Sequence, residues 1–256
     1  MTVAKGRASA FAAALSCVAM AASVASMPID AVAATKALTP AQLQDEVVAA
    51  MRSQAGVVTT VTDRLGAKLE DMVTRSGIAT GTQSITLNGL GPTETVNIVL
   101  SGGVVFIRGN EAGLNTYMGF TAQAAKELAG EWLRVGSAEG EPHAELSLFT
   151  NASADLTIST LVLDTVLPEP LSFTRPALID GQQVTGIAAT IRQADEPTVH
   201  AVLYVRASGN PLPVEEVEAV KGGTSTAVFS NWGKAPMLNV PDNAVPFQPW
   251  WLPANY

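Results

Sequence analysis

Cysteine is almost missing from this chain. Cys17 is the only one, and it lies in an apolar N-terminal stretch, AALSCVAMAAS. Histidine is nearly as scarce, with only His143 and His200. Charged residues make up 15% of the chain and aromatics 5%. The usual catalytic signatures are also missing: there is no H-E-x-x-H, no G-x-x-x-x-G-K-[ST], no G-x-S-x-G and no strand-linked G-x-G-x-x-G. These absences exclude zincin, P-loop and nucleophile-elbow chemistry of the familiar kinds. They do not exclude a triad, which needs one histidine.

The first residues carry an address. Lys5 and Arg7 form a positive start, residues 8–25 are nearly all small or apolar, and Pro28 breaks any helix. Ala31-Val32-Ala33 then fits the small-x-small pattern of a cleavage site. The sequence therefore predicts a secretory signal over residues 1–33. Lipidation at Cys17 is the competing outcome, but the leucine before it, Leu15, is misplaced for a lipobox, and the apolar run continues past the cysteine. Cleavage after Ala33 would leave a chain without cysteine, so neither a disulfide nor a thiolate site could form. The protein is then expected to be exported, secreted or held at the cell envelope, and tethered only if Cys17 is lipidated.

Removal of residues 1–33 takes away Lys5, Arg7 and Asp30, changing the formal net charge from -8 to -9. An acidic surface argues against nucleic acid and anionic lipid headgroups as partners. The remaining length suits one large domain. With 47% hydrophobic residues, the chain has a generous core, an apolar cavity, or both.

Residues 39–54 predict an amphipathic helix. Thr39 suits the N-cap and Pro40 the first turn, and Leu43, Val47, Ala50 and Met51 recur at helical spacing. Period-2 segments follow at 79–88 and 94–101, and VVFIRG continues after the Gly102-Gly103 turn. Residues 111–130 return to helical spacing, weakened by Gly113 and Gly119, and predict two short helices or one kinked one. EWLRV predicts a short strand and residues 151–163 a further helix. Five alternating segments then fill the C-terminal half, with hairpin turns at 180–183 and 208–211. In VHAVLYVRA, Val199, Ala201, Leu203 and Val205 share one face. Glu215, Glu216 and Glu218 read as a solvated strand edge. The tail after 240 is rich in proline and reads as an extended arm. The fold class is α+β: an antiparallel sheet with helices on one face.

EGEPHAE at 139–145 places Glu139, Glu141, His143 and Glu145 at alternate positions, but Gly140 and Pro142 interrupt it. It reads as a solvated acidic loop, and no metal site is expected. No cofactor is expected either.

FSNWGKAPMLNVP at 229–241 resembles the closing strands of the LppX/LprG-type (LppX_LprAFG) actinobacterial lipoprotein family. TGTQSITL, GGVVFIRGNEA, ELAGEWLRV and LYVRASGNPLPVEEVE are similar to other segments of that family, in the same order. The resemblance spans roughly residues 40–245. It implies a strongly curved antiparallel sheet, an unclosed half-barrel of the LolA-like kind, with helices over its concave face. It further implies a non-enzymatic lipid carrier in one domain, residues 34–245; the Pro/Trp-rich arm at 246–256, with Trp250 and Trp251, departs from the family by extending past the last shared strand. The expected ligand is a lipid or glycolipid whose acyl chains fill an apolar cavity between sheet and helices. Ten residues are expected to line that cavity: Val104, Phe106, Leu114, Tyr117, Met118, Phe120, Ile187, Ile191, Leu203 and Val205. The protein is expected to be a monomer that meets an envelope membrane protein. Two alternatives remain open, a surface scaffold of the same fold without a lipid and an envelope hydrolase.

Overall fold

The computed structural model describes residues 38–74, 81–88, 91–102, 104–135, 158–192, 197–234 and 238–253. The leader with Cys17, the acidic loop with His143 and the start of the predicted helix at 151 lie outside the described residues.

The order of elements is α1 (Pro40–Arg52), β1 (Gly56–Thr62), β2 (Lys68–Thr74), β3 (Gly81–Leu87), β4 (Glu94–Ser101) and β5 (Val104–Gly109). A π-helical turn (Gly113–Tyr117), α2 (Ala122–Leu128), β6 (Leu133–Val135) and α3 (Ile158–Thr165) come next. The chain continues through β7 (Ser172–Phe173), β8 (Ala177–Ile179), β9 (Gln182–Ile191), β10 (Val199–Arg206), β11 (Pro213–Val220) and β12 (Gly223–Ser230). It closes with β13 (Val245–Pro246) and a 3-10 turn (Pro249–Trp251).

The strands form one unclosed sheet in the order β13-β6-β5-β4-β3-β2-β1-β12-β11-β10-β9-β7, with β8 also on β9. β1 to β6 form a meander of sequential antiparallel neighbours, and β9 to β12 form a second. The long-range pair β1–β12 joins them. The expectation of a purely antiparallel sheet is corrected at one edge, because β13 pairs with β6 in parallel. A parallel partner needs a long connection, and the last part of the chain supplies it.

Local chemistry explains the elements. In α1 the Thr39 hydroxyl accepts from the Gln42 N–H at 3.2 Å, and the Gln42 side chain accepts from the Thr39 N–H at 3.0 Å. This capping box satisfies two otherwise orphaned groups. The β8–β9 hairpin turns at Asp180 and Gly181, both at positive φ, as a two-residue turn between twisted strands requires. The π-helical turn is fixed by Asn110. Its Oδ1 accepts from the N–H groups of Thr95 at 3.1 Å and Gly113 at 2.7 Å, and its Nδ2 donates to the Thr93 carbonyl at 2.7 Å. Gly113 is required there because a Cβ would fall inside the van der Waals envelope of the Thr95 carbonyl oxygen.

Candidate ligand-binding face

Directly paired residues in adjacent strands share a face, so the register assigns the two sides of the whole sheet. From one edge to the middle, one row runs Gly109, Val96, Ile85, Leu69, Val61. It continues across the β1–β12 join as Ala227, Glu216, Leu203, Ile187. This is the inner face, the one that the described helices α1, α2 and α3 and the π-turn cover.

Two large apolar clusters sit on that face, with a small third one of Val199, Val220 and Ile191 near the start of β10. In the first, Ile98, Leu100, Val105, Ile107 and Leu133 of the sheet meet Leu114, Met118, Phe120 and Ala125 of the π-turn and α2. In the second, Ile187, Leu203, Val205 and Phe229 meet Val47 and Met51 of α1 and Ile158 and Val162 of α3. α1 and α3 are clamped by Gln44, whose amide donates to the Leu167 carbonyl and accepts from the Leu167 N–H, both at 3.0 Å. Between the clusters, Leu69 is half-buried against the first and Ala227 half-buried against the second, and Val61, also half-buried, belongs to neither among the described residues.

The ten residues expected to line a cavity divide accordingly. Leu114, Met118 and Phe120 are buried in the first cluster, and Ile187, Leu203 and Val205 in the second. Ile191 is half-buried against the second, and Tyr117 is exposed at the rim of the first. Val104 and Phe106 are not on this face. Val105 pairs with Leu100 and Ile107 with Ile98, so these two hold the inner positions of β5, and Val104 and Phe106 point to the other side. VVFI is apolar at every position, so its sequence cannot say which alternate pair turns inward.

The glutamates need a larger correction. β11 is an interior strand between β10 and β12, not an edge. Glu216 pairs with Leu203 and Ala227, and Glu218 with Ala201 and Ser225, so both carboxylates face inward while Val217 faces out. Desolvation, reinforced by Glu218 and by Asp164 of α3, pushes the Glu216 carboxyl up to about 8. Burial also raises Glu218. Glu215 is on the outer face, where burial and the Asp180 carboxylate raise it. Three further polar side chains are buried on the inner face, Thr59, Gln83 and Ser225.

The signal for the inward glutamates was the neighbouring segments. A Glu-x-Glu pattern flanked by two alternating strands belongs to an interior strand, where one face must meet the helices. The sequence reading also missed Phe247 and Trp251. Both pack on Phe120, at ring-centroid distances of 6.0 and 6.2 Å, and the Thr121 N–H donates to the Trp251 carbonyl at 2.8 Å.

His200 is exposed on the outer face, with Nδ1 3.2 Å from the Thr190 hydroxyl. Among the described residues, no group of three or more His, Cys, Asp and Glu side chains could hold a metal ion. No helix among them is long and apolar enough to cross a membrane.

No family model matches the chain, and no curated protein sequence matches it. Among solved structures it is similar to LprF from Mycobacterium bovis, at 16% identity over 80% of this chain and 97% of that one, with a TM-score of 0.49. It is similar to the Mycobacterium tuberculosis lipoprotein LppX at 16% identity over 78% and 98%, with a TM-score of 0.44. A LolA superfamily protein from Nitrosomonas europaea matches at 11% identity over 80% and 96%, with a TM-score of 0.27.

Proposed function

We propose that this protein is an exported, non-enzymatic carrier that holds the acyl chains of a lipid or glycolipid against the inner face of its half-barrel. The observation that supports this reading is the seam between the two clusters. There Leu69, Val61 and Ala227 face inward from the middle of the sheet but are only half-buried. A sheet of this span has more inner apolar surface than its short helices cover, and a bound chain is a natural occupant of the remainder. Leu114, Met118, Phe120, Ile187, Leu203 and Val205 then form the walls on either side. Met adapts to disordered chains, and Phe supplies contact area. Delivery would involve a membrane protein of the envelope.

Native mass spectrometry of the protein purified from its own host, followed by organic extraction, tests this proposal. The expected result is a polypeptide beginning near Ala34 that carries a species of lipid mass through washing. A bare protein that also refuses added lipid would overturn the carrier reading. A polypeptide beginning at an acylated Cys17 would make the carrier membrane-tethered.

A further inference from the structure

Two carboxylates inside an apolar half-barrel need an explanation. Glu216 occupies an inner row otherwise made of Val61, Ala227, Leu203 and Ile187, and Glu218 follows about 6.8 Å along the same strand. Asp164 of α3 approaches from the helical side, close enough to act on Glu216. All three groups carry the same sign. Every influence found on Glu216 and Glu218 disfavours ionisation, and no basic side chain among the described residues relieves either. Among the described residues neither glutamate has a hydrogen bond or an ion pair. Glu216 is deep in the molecule, yet part of its surface stays open.

A buried charge is normally compensated by a partner, and here the described residues do not provide one. A proton fills that role at lower pH, and a cation that enters with the ligand would fill it once the carboxylates ionise.

We infer that Glu216 and Glu218 form the headgroup end of the ligand site and select an amphiphile bearing a cationic nitrogen, whose chains extend along the apolar seam toward Val61 and Leu69. This inference rests on the carrier reading and adds the chemical class of the headgroup. The carboxylates of the two glutamates would meet the ammonium group. Charge-assisted contacts of this kind are strongest where water is excluded.

The test compares two probes of equal chain length below their micelle concentrations, dodecyltrimethylammonium and neutral dodecyl maltoside. Each is titrated into the purified full chain after co-purified lipid has been removed. At pH 8.5 the ammonium probe should bind about tenfold more tightly than the maltoside. Because the ammonium is quaternary, its own charge does not change with pH, and its affinity should fall as the pH is lowered and the carboxylates take up protons. The Glu216→Gln/Glu218→Gln double variant should lose the preference while keeping its affinity for the maltoside. A control variant at exposed positions, Glu127→Gln/Glu131→Gln, should keep the preference, which separates the site from the general acidity of the surface. Equal affinity for the two probes in the wild-type chain would overturn the headgroup inference and leave the carrier reading standing. So would a preference that survives in the Glu216→Gln/Glu218→Gln variant. Failure of both probes to bind would overturn both readings.

Discussion

Glu216 links stability to pH in the direction opposite to that of a surface carboxylate. Desolvation and the neighbouring Glu218 and Asp164 hold its proton up to about 8, whereas the ordinary value is 4.5. The folded state therefore binds a proton that the unfolded state has already released over that interval. Stability from this group is complete below pH 4.5 and is lost as the pH rises through about 8. At about 1.4 kcal/mol per pH unit of displacement, the loss is roughly 5 kcal/mol. Glu218 is raised by burial and acts in the same direction. The urea midpoint of the ligand-free protein should fall between pH 5 and pH 8.5, and Glu216→Gln should flatten that slope and make the protein more stable than wild type at the alkaline end. An unchanged slope in the variant would mean that Glu216 is not desolvated as described. None of this was legible from residue type alone. Period 2 in LPVEEVEAV says that two faces exist, and charge ordinarily assigns the glutamates to water. Only the strands on either side, β10 and β12, reveal that the inner face is theirs.

Elements with strong local signals were legible, and those held by distant contacts were not. α1 combines a capping box, an N-terminal proline and a clean apolar stripe, so its start at Pro40 follows from the residues alone. The break between the π-turn and α2 was also readable, from Gly113 and Gly119. The π geometry was not, because it depends on the Asn110 side chain reaching back to Thr93 and Thr95. The C-terminal arm shows the opposite situation. Its prolines remove donors and its sequence has no period, so it reads as loose chain. Its anchor is an aromatic group formed with Phe120, more than a hundred residues earlier. Phe247 is buried, stands edge-on to Phe120, and lies 5.6 Å from the Trp251 ring centroid. The arm also satisfies the backbone of the sheet edge, since the Val245 N–H donates to the Trp132 carbonyl at 2.7 Å and the Phe247 N–H to that of Arg134 at 2.9 Å. Phe247→Ala should cost about 3 kcal/mol, by lost transfer energy plus the cavity it leaves. A urea titration followed by tryptophan fluorescence checks this, because Trp251 loses its edge contact in the same variant. A cost below about 0.5 kcal/mol, the range of an ordinary surface change, would show that the arm only rests on the sheet.

At the scale of the whole molecule, the question is why one sheet face should carry two apolar clusters when one would make a more compact domain. The connections give the answer. α2 and the π-turn sit between β5 and β6, so they cover the β3–β6 side, whereas α1 and α3 are drawn together by Gln44 over β9–β12. The inner face of β1 is divided between them: Val57 packs in the second cluster and Thr59 is buried, whereas Val61 is half-buried and belongs to neither cluster among the described residues. The two kinds of inner position therefore respond differently to added volume. At Leu203, which is 1% exposed inside the second cluster, a larger side chain has nowhere to go, and overpacking of that kind costs ~1–3 kcal/mol. At Val61, inward-facing and half-buried on the central row, a larger side chain should enter the open seam at little cost. Val61→Trp should therefore leave the urea midpoint close to wild type while sharply lowering the amount of lipid that co-purifies and the uptake of an added dodecyl probe. Leu203→Trp should lower the midpoint itself. Comparing the two variants separates a ligand cleft from a core, which loss of binding in a single variant cannot do. If Val61→Trp destabilises the protein as much as Leu203→Trp, the seam is packed and holds no acyl chain. If Val61→Trp is stable and still carries lipid in full, the chains lie elsewhere on the inner face. Only a stable protein with an emptied seam agrees with a half-barrel whose two roofs are set apart by the space a ligand occupies.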